Sequence, residues 1–391
     1  MESLRSFIDK IKPMFQKGGK FEKLHSTFDA FETFAFVPNK VTTKGSHIRD
    51  AVDMKRAMFL VVIALIPALL FGMWNVGYQH FIANGIDAGF WQTFWYGFLK
   101  VLPIIVVSYV VGLGIEFIFA QIRGHEVNEG FLVTGMLIPL ILPPDIPLWQ
   151  VAVATAFAVI IGKEAFGGTG MNFMNPALTA RAFLFFAFPA FMSGDKVWIA
   201  GQPAVDGFSG ATPLGNALVG QADQLPSAWD MFLGIIPGSI GETSTVAILL
   251  GAILLLITGI ANYRIMLSVV LGGLAMGFLF NLVGPDTNAY THIPAYYHLI
   301  MGGFAFGCVF MATDPVTASQ TNKGKWIYGF LIGFIAVLIR VVNPAYPEGM
   351  MLAILLMNVF APLIDYYVVE ANINRRKKRA KKALATANQN N

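Results

Sequence analysis

Residues 130–142 read Gly130-Phe131-Leu132-Val133-Thr134-Gly135-Met136-Leu137-Ile138-Pro139-Leu140-Ile141-Leu142, and Pro143-Pro144-Asp145 follows at once. No charge interrupts the run, yet it holds only 13 residues. At a helical rise of 1.5 Å per residue it extends roughly 20 Å, short of a hydrocarbon core of about 30 Å. A segment this apolar has no place in water, and it is too short to cross a bilayer. Both conditions are met by a helix that stops inside a membrane protein, among longer spans.

The rest of the chain fits that setting. Of 391 residues, 55% are hydrophobic and 13% charged, against roughly 25% charged in soluble domains. Ten apolar stretches stand out: Met58 to Tyr78, Gly97 to Gln121, Gly130 to Leu142, Trp149 to Gly162, Pro176 to Phe191, Thr243 to Ala261, Arg264 to Val283, His298 to Met311, Trp326 to Val342 and Gly349 to Val369. The expected class is therefore an all-α polytopic membrane protein of ten transmembrane helices. The third and eighth stretches are its short, half-length members. No cleavable signal peptide is apparent. The single cysteine, Cys308, excludes an internal disulfide and an iron–sulfur cluster held by this chain alone.

Charge sets the expected orientation. The arm before Met58 carries 11 Lys/Arg, and seven more follow Asn374. Arg123, Lys163, Arg264, Lys323 and Lys325 fall in alternate loops on that same side, and Lys196 is the main exception. By the positive-inside rule both termini are cytoplasmic. The division follows: 1–57 a cytoplasmic arm, 58–192 a first membrane repeat, 193–242 an outer loop, 243–369 a second repeat, and 370–391 a basic tail ending in a disordered polar run. In the arm, Phe7, Ile8, Ile11 and Phe15 among lysines predict a short amphipathic helix that Gly18-Gly19 breaks. The chain also carries a weak internal repeat. Trp149 opens a span followed by Asn175-Pro176-Ala177, and Trp326 opens one followed by Asn343-Pro344-Ala345. Two five-span halves of opposite orientation make an inverted 5+5 repeat.

A helix ending at membrane depth leaves carbonyls free, and its partly negative C-terminus favours a cation. Phe306 and Phe310, among Gly302, Gly303 and Gly307, could form an apolar constriction or simply pack helices. Acids at membrane depth are costly and usually functional, which draws attention to Glu116, Glu126, Glu129, Glu164, Asp314 and Asp365. The competing reading pairs them with Arg123, Lys163, Arg181 or Arg340. The six histidines show no metal-ligand spacing. Gly167-Gly168-Thr169-Gly170 is either an anion-binding turn or a tight membrane turn.

The longest polar interruption, Ser193 to Glu242, contains Asp206-Gly207-Phe208-Ser209-Gly210-Ala211-Thr212. Glycines and a serine around one threonine predict a mobile, accessible loop presenting a hydroxyl to another protein. No base stands beside Thr212 in sequence, so modification suits it better than nucleophilic catalysis.

Several longer runs carry a resemblance: Ser46-His47-Ile48-Arg49-Asp50, His125 to Gly130, Lys163 to Gly170, Asp206 to Thr212, Pro237-Gly238-Ser239-Ile240-Gly241-Glu242, Met311 to Val316, and Arg340 to Met351. In them the whole chain resembles the B-subunit family of the bacterial sodium-translocating NADH:quinone reductases. The resemblance implies that a flavin transferase reads Asp206, Ser209, Gly210 and Ala211 and links FMN to Thr212 as a phosphoester. It implies non-covalent riboflavin, five partner subunits, ubiquinone as electron acceptor, and sodium moved outward across the inner membrane, with the Thr212 loop periplasmic. The NADH site lies on another chain. For sodium it points to Glu116, Asp314 and Asp365, with Phe306 and Phe310 as the constriction. For quinone it points to the glycines of the second span. There this chain departs from the family's frequent Gly-Gly and has Gly112-Leu113, which puts pocket shape and inhibitor response in doubt. Two alternatives remain at this point: the D subunit of a ferredoxin-linked Rnf complex, and a channel or secondary transporter for small solutes.

Overall fold

The structure, a computed structural model, describes residues 54–124, 130–194, 197–201, 210–220, 225–285, 288–343 and 348–389, and parts of the first 53. Helix α1 (Glu2–Ile11) ends in a 3-10 turn at Lys12–Met14. Pro13 lacks a backbone N–H and so stops the helix before Gly18-Gly19, where the break is expected. Phe15 stacks on Phe28 at 4.5 Å and Lys12 pairs with Glu32 at 2.6 Å, so the arm folds back on itself.

The first half then runs α2 (Met54–Ala83), α3 (Phe90–Arg123), α4 (Phe131–Leu140), α5 (Leu148–Ile160) and α6 (Pro176–Ala187). Two short helices, α7 (Pro213–Leu218) and α8 (Ala228–Leu233), lie in the polar segment between the halves. The second half runs α9 (Thr245–Ile257), α10 (Tyr263–Val283), α11 (Phe304–Phe306, continuing as a π-helix over Gly307–Met311), α12 (Asn322–Val342) and α13 (Met350–Gln389). Every described element is helical. Each of the ten apolar stretches contains one of these helices.

Length divides them. Six are long and apolar enough to cross a membrane: α2, α3, α5 with the turns that carry it to Phe166, α10, α12 and α13. Four are short rather than the two expected, namely α4, α6, α9 and α11. The fifth stretch breaks because Pro189 cannot continue a helix; Phe188 leaves helical geometry before it. The eighth is not one helix. Tyr297–Ile300 forms a turn, and the chain then kinks through Gly302, whose φ of +60° an L side chain rarely adopts. The C-terminal tail is also corrected: α13 runs unbroken for 40 residues, through the basic run and beyond. Lys, Arg and Ala are strong helix formers, and charge excludes them from lipid but not from a helix.

The packing follows one pattern twice. In the first half α3 packs on α4 and α5, α6 packs on α4 and α5, and α2 packs on α4. In the second, α10 packs on α11 and α12, α13 packs on α11 and α12, and α9 packs on α11. The halves meet where α2 touches α9 and α6 touches α13. One contact breaks the parallel: α2–α3 is extensive and α9–α10 is not. Small residues permit the closest approach. On α10 and α12, Gly272 lies against the Phe330 carbonyl and Gly333 against that of Val269, with no room for a Cβ at either. Leu99, Val110 and Ile118 of α3 and Leu249 and Ile253 of α9 point outward, as a lipid-facing surface requires.

Candidate functional site

Two cavities lie at opposite ends of α11. One is lined by Thr212, Leu214, Ser239, Glu242, Gly302 and Glu348, with Arg181 and Trp198. The other is lined by Phe310 in the last turn of α11 and by Thr313 and Asp314 beyond its far end, with Thr134, Lys163 and Asn175. The helix between them has eight residues, or about 12 Å of rise. Phe306 and Phe310 sit one turn apart along it, both buried, with ring centroids 5.0 Å apart.

In the first cavity Thr212 is a helix cap. Its side-chain oxygen accepts from the Gly215 N–H at 3.1 Å, and α7 starts at Pro213 behind it. The Tyr290 hydroxyl donates to the Leu214 carbonyl at 2.6 Å and pins this turn to the second half. Gly210 is buried, and Ala211 and Thr212 are half-buried. Thr212 thus caps a helix and lines the cavity wall, its side chain partly accessible. Asp206 and Ser209 lie outside the described residues.

Below Thr212, Arg181 of α6 bridges two carboxylates. It donates to Glu242 at 2.7 Å and to Glu348, and reaches the Ser239 hydroxyl at 3.4 Å. The Gly303 N–H donates to Glu348 at 3.1 Å. Burial pushes the Glu242 carboxyl up, the Arg181 guanidinium pulls it down, and Glu348 pushes it up again, to about 7. A second buried guanidinium, Arg340, holds the kink ahead of α11. It donates to the carbonyls of His298 at 2.6 Å, Met301 at 2.9 Å and Glu348 at 2.9 Å. The quoted sequence runs contain Glu242 and Glu348 but not Arg181, and give no sign that the three meet. They are 61 and 167 positions apart, and their one signal in the sequence is charge in an apolar chain.

The short helix ends are less exposed than expected. The carbonyls of Leu140 and Leu142, at the end of α4, accept from the N–H groups of Gly241 and Ile240 at 2.7 and 3.2 Å. The segment before α9 therefore caps α4, which corrects the expectation that these carbonyls are left free for a cation.

In the second cavity Asp314 follows α11 and faces the start of α6. It accepts from the Asn175 side chain at 3.2 Å, the Thr317 hydroxyl at 3.1 Å and the Val316 N–H at 3.0 Å. Asn175 also caps α6, accepting from the N–H groups of Ala177 and Leu178. Glu116 is buried in α3 and paired with Lys163, which lines this cavity. Asp365 stands apart. It clamps the turn before α12, accepting from Ser319, Gln320 and Thr321 at 2.6–2.9 Å, and it lines neither cavity. On α3, Gly112 faces the Phe131 ring so closely that a Cβ would collide with it; Leu113, beside it, is half-buried.

The arrangement offers a hydroxyl on an apolar and aromatic wall at one end of α11, above the Arg181–Glu242–Glu348 cluster, and the Asp314 carboxylate at the other. Phe185, Met192, Trp198 and Ile236 line the first cavity with Arg181. Those aromatic and apolar walls suit a planar ring. Known proteins match the chain over most of its length. Residues 41–374 match the model described as the NQR2, RnfD, RnfE family. The B subunit of the Na(+)-translocating NADH-quinone reductase of Ectopseudomonas mendocina (strain ymp) is 53% identical, over 95% of this chain and 98% of its own length. The protein of the same name from Azotobacter vinelandii is also 53% identical, with the same coverage. That from Klebsiella pneumoniae (strain 342) is 51% identical over 96% of this chain and 99% of its own.

Proposed function

Since the chain belongs to the family of B subunits of the sodium-translocating NADH-quinone reductases, membrane subunits of a sodium-pumping enzyme, we propose that Thr212 carries its covalent FMN and that sodium passes along α11. The observation that carries this is the placement of Thr212 and Asp314 in separate cavities at the two ends of α11. Bound at Thr212, the flavin would supply one-electron chemistry. The chain's own residues hold the anchoring oxygen at the cap of α7, present an aromatic wall, and set Arg181 opposite. The flavin transferase supplies the esterification, so Thr212 needs no base of its own. Riboflavin, ubiquinone and five partner subunits belong to the same proposal and rest on the family resemblance.

Topology is proposed on charge and packing together. The cavity with Asp314 also takes Ala57, Met58 and Lys163, from segments that the positive-inside rule makes cytoplasmic. The cavity with Thr212 takes Ser193, Trp198, Pro213, Leu214, Ile236 to Ser239 and Glu242 from the segment assigned to the periplasmic side, with Arg181 and Phe185 from α6. The doubled packing pattern supports ten spans as an inverted 5+5 repeat, with the arm, outer loop and tail bounded as the sequence divides them. Glu116 and Asp314 are the acids that position best supports for sodium. Asp365 keeps its place in the path only if the turn it clamps opens. Gly112 and Leu113 remain the proposed quinone contacts, with the Gly112 notch filled by Phe131.

Two measurements test this. When the complex is denatured and its chains resolved, flavin fluorescence is expected on this one, and the Thr212 peptide should carry the mass of FMN less water. A dark band with an unmodified peptide would refute the tether. Asp314→Asn is expected to raise the sodium needed for half-maximal quinone reduction by about tenfold, the loss of one charged ligand, with flavin content intact. Sodium dependence equal to that of the parent would remove Asp314 from the path.

A further inference from the structure

Two adjacent residues after α5 make two ion pairs to α3. Lys163 pairs with Glu116, and Glu164 pairs with Arg123 at 2.9 Å. The two pairs differ in kind. Arg123 grips Glu164 twice, through the carboxylate and through the backbone carbonyl at 2.7 Å, and its side chain is 34% exposed. That is a staple, and it is enough to fix this turn to α3. Lys163 and Glu116 are buried, with side chains 4% and 5% exposed. A second staple one residue away adds little, while burying two charges costs several kcal/mol per ion before their attraction is counted.

The position of Lys163 gives the pair another use. It lines the cavity that Asp314 also lines. Its ammonium lies 6.0 Å from the centre of the Phe131 ring, the same ring that fills the notch at Gly112. Gly112 is one turn before Glu116 on α3, so the Phe131 ring, contributed by α4 and seated on that face of α3, and the Glu116 carboxylate both lie beside the ammonium. A lysine is a compact point charge on a flexible four-carbon stem, where arginine is a rigid fork. Such a group can leave one carboxylate for another without the backbone moving.

We infer that Lys163 is a tethered counter-cation that occupies Glu116 whenever sodium does not. Sodium then reaches this carboxylate by displacing the ammonium into the cavity toward Asp314. Charge balances in the loaded state: two cations, Lys163 and sodium, face two carboxylates, Glu116 and Asp314. The inference rests on the proposed reading that Glu116 belongs to the sodium path, and it adds a competitor whose strength sets sodium affinity.

The test is a sodium titration of quinone reduction by the purified whole complex, with the flavin band as the measure of assembly. In Lys163→Gln the competitor is gone, and half-saturating sodium is expected to fall by about tenfold. In Lys163→Arg the competitor is permanently charged and bidentate, and half-saturation is expected to rise by a similar factor. Glu116→Gln is expected to raise it strongly. If Glu116→Gln acts and both Lys163 variants match the parent, Lys163 is only a staple, and the inference falls while Glu116 keeps its role. If Glu116→Gln leaves the titration unchanged, the reading of Glu116 fails and the inference with it. Should Lys163→Gln not assemble, Lys163→Arg decides alone, since it keeps the buried charge paired; an unmoved half-saturation there overturns the inference.

Discussion

Thr212→Val is expected to strip this chain of covalent flavin and to stop quinone reduction, while the helical bundle still assembles. Valine matches threonine in shape and β-branching but offers no hydroxyl, so no phosphoester can form. The structural cost is confined to the cap. Losing the bond from the Gly215 N–H is worth roughly 1 kcal/mol, a small loss beside the packing of the two halves. In-gel flavin fluorescence, helical content and NADH-driven quinone reduction are the readings. Retained covalent flavin in a folded Thr212→Val complex would show that the anchor is another residue. Thr212→Ser restores a hydroxyl at the same cap and is expected to regain part of the flavin, whereas a merely structural role would be met almost as well by Ala.

The second large effect is expected from Arg181→Leu. Leucine fills part of the space but leaves Glu242, buried, and Glu348, partly buried, without their shared counter-charge. Breaking a buried pair in this way costs roughly 3–5 kcal/mol, enough to lose most of the assembled protein. The loss should depend on pH. Glu242 is already raised to about 7 with Arg181 in place, well above its unfolded value of about 4.3. A raised carboxylate binds its proton more tightly in the folded state, so its contribution is present at low pH and declines as pH rises through 7. Without the guanidinium this decline should steepen and extend higher. The thermal stability of Arg181→Leu is therefore expected to fall further below the parent at pH 8 than at pH 6. Equal stability at both would mean that the three side chains do not form a buried charge network. Adding Glu242→Gln and Glu348→Gln removes the stranded charges and is expected to recover part of the loss.

The helical stretches are legible in the sequence because lipid leaves so little choice. An apolar run bounded by charge or proline is helical, and each of the ten runs contains a helix, six of them long enough to cross a membrane. Their ends are less legible. Helix α3 begins at Phe90, seven residues ahead of the apolar run, because Trp91, Gln92 and Thr93 lie where water, lipid and a neighbouring helix compete. The kink at Gly302 and the break at Pro189 depend on backbone geometry that hydropathy does not register. Long-range pairing is least legible. Glu116 and Lys163 are 47 positions apart, and nothing local in either residue selects the other. The motif at Thr212 reads as a site of modification, but its floor does not show, since Arg181, Glu242 and Glu348 come from three separate segments.

The short partition at α11 has an electrical consequence. On the proposed topology the two hollows enter from opposite faces and leave about 12 Å of α11 between them, so much of the membrane voltage would fall across Phe306 and Phe310. A monovalent ion passing those two rings would meet much of the field in one step, up to about 2.3 kcal/mol for each 100 mV. The rate of that step, more than of any other, should respond to an imposed potential.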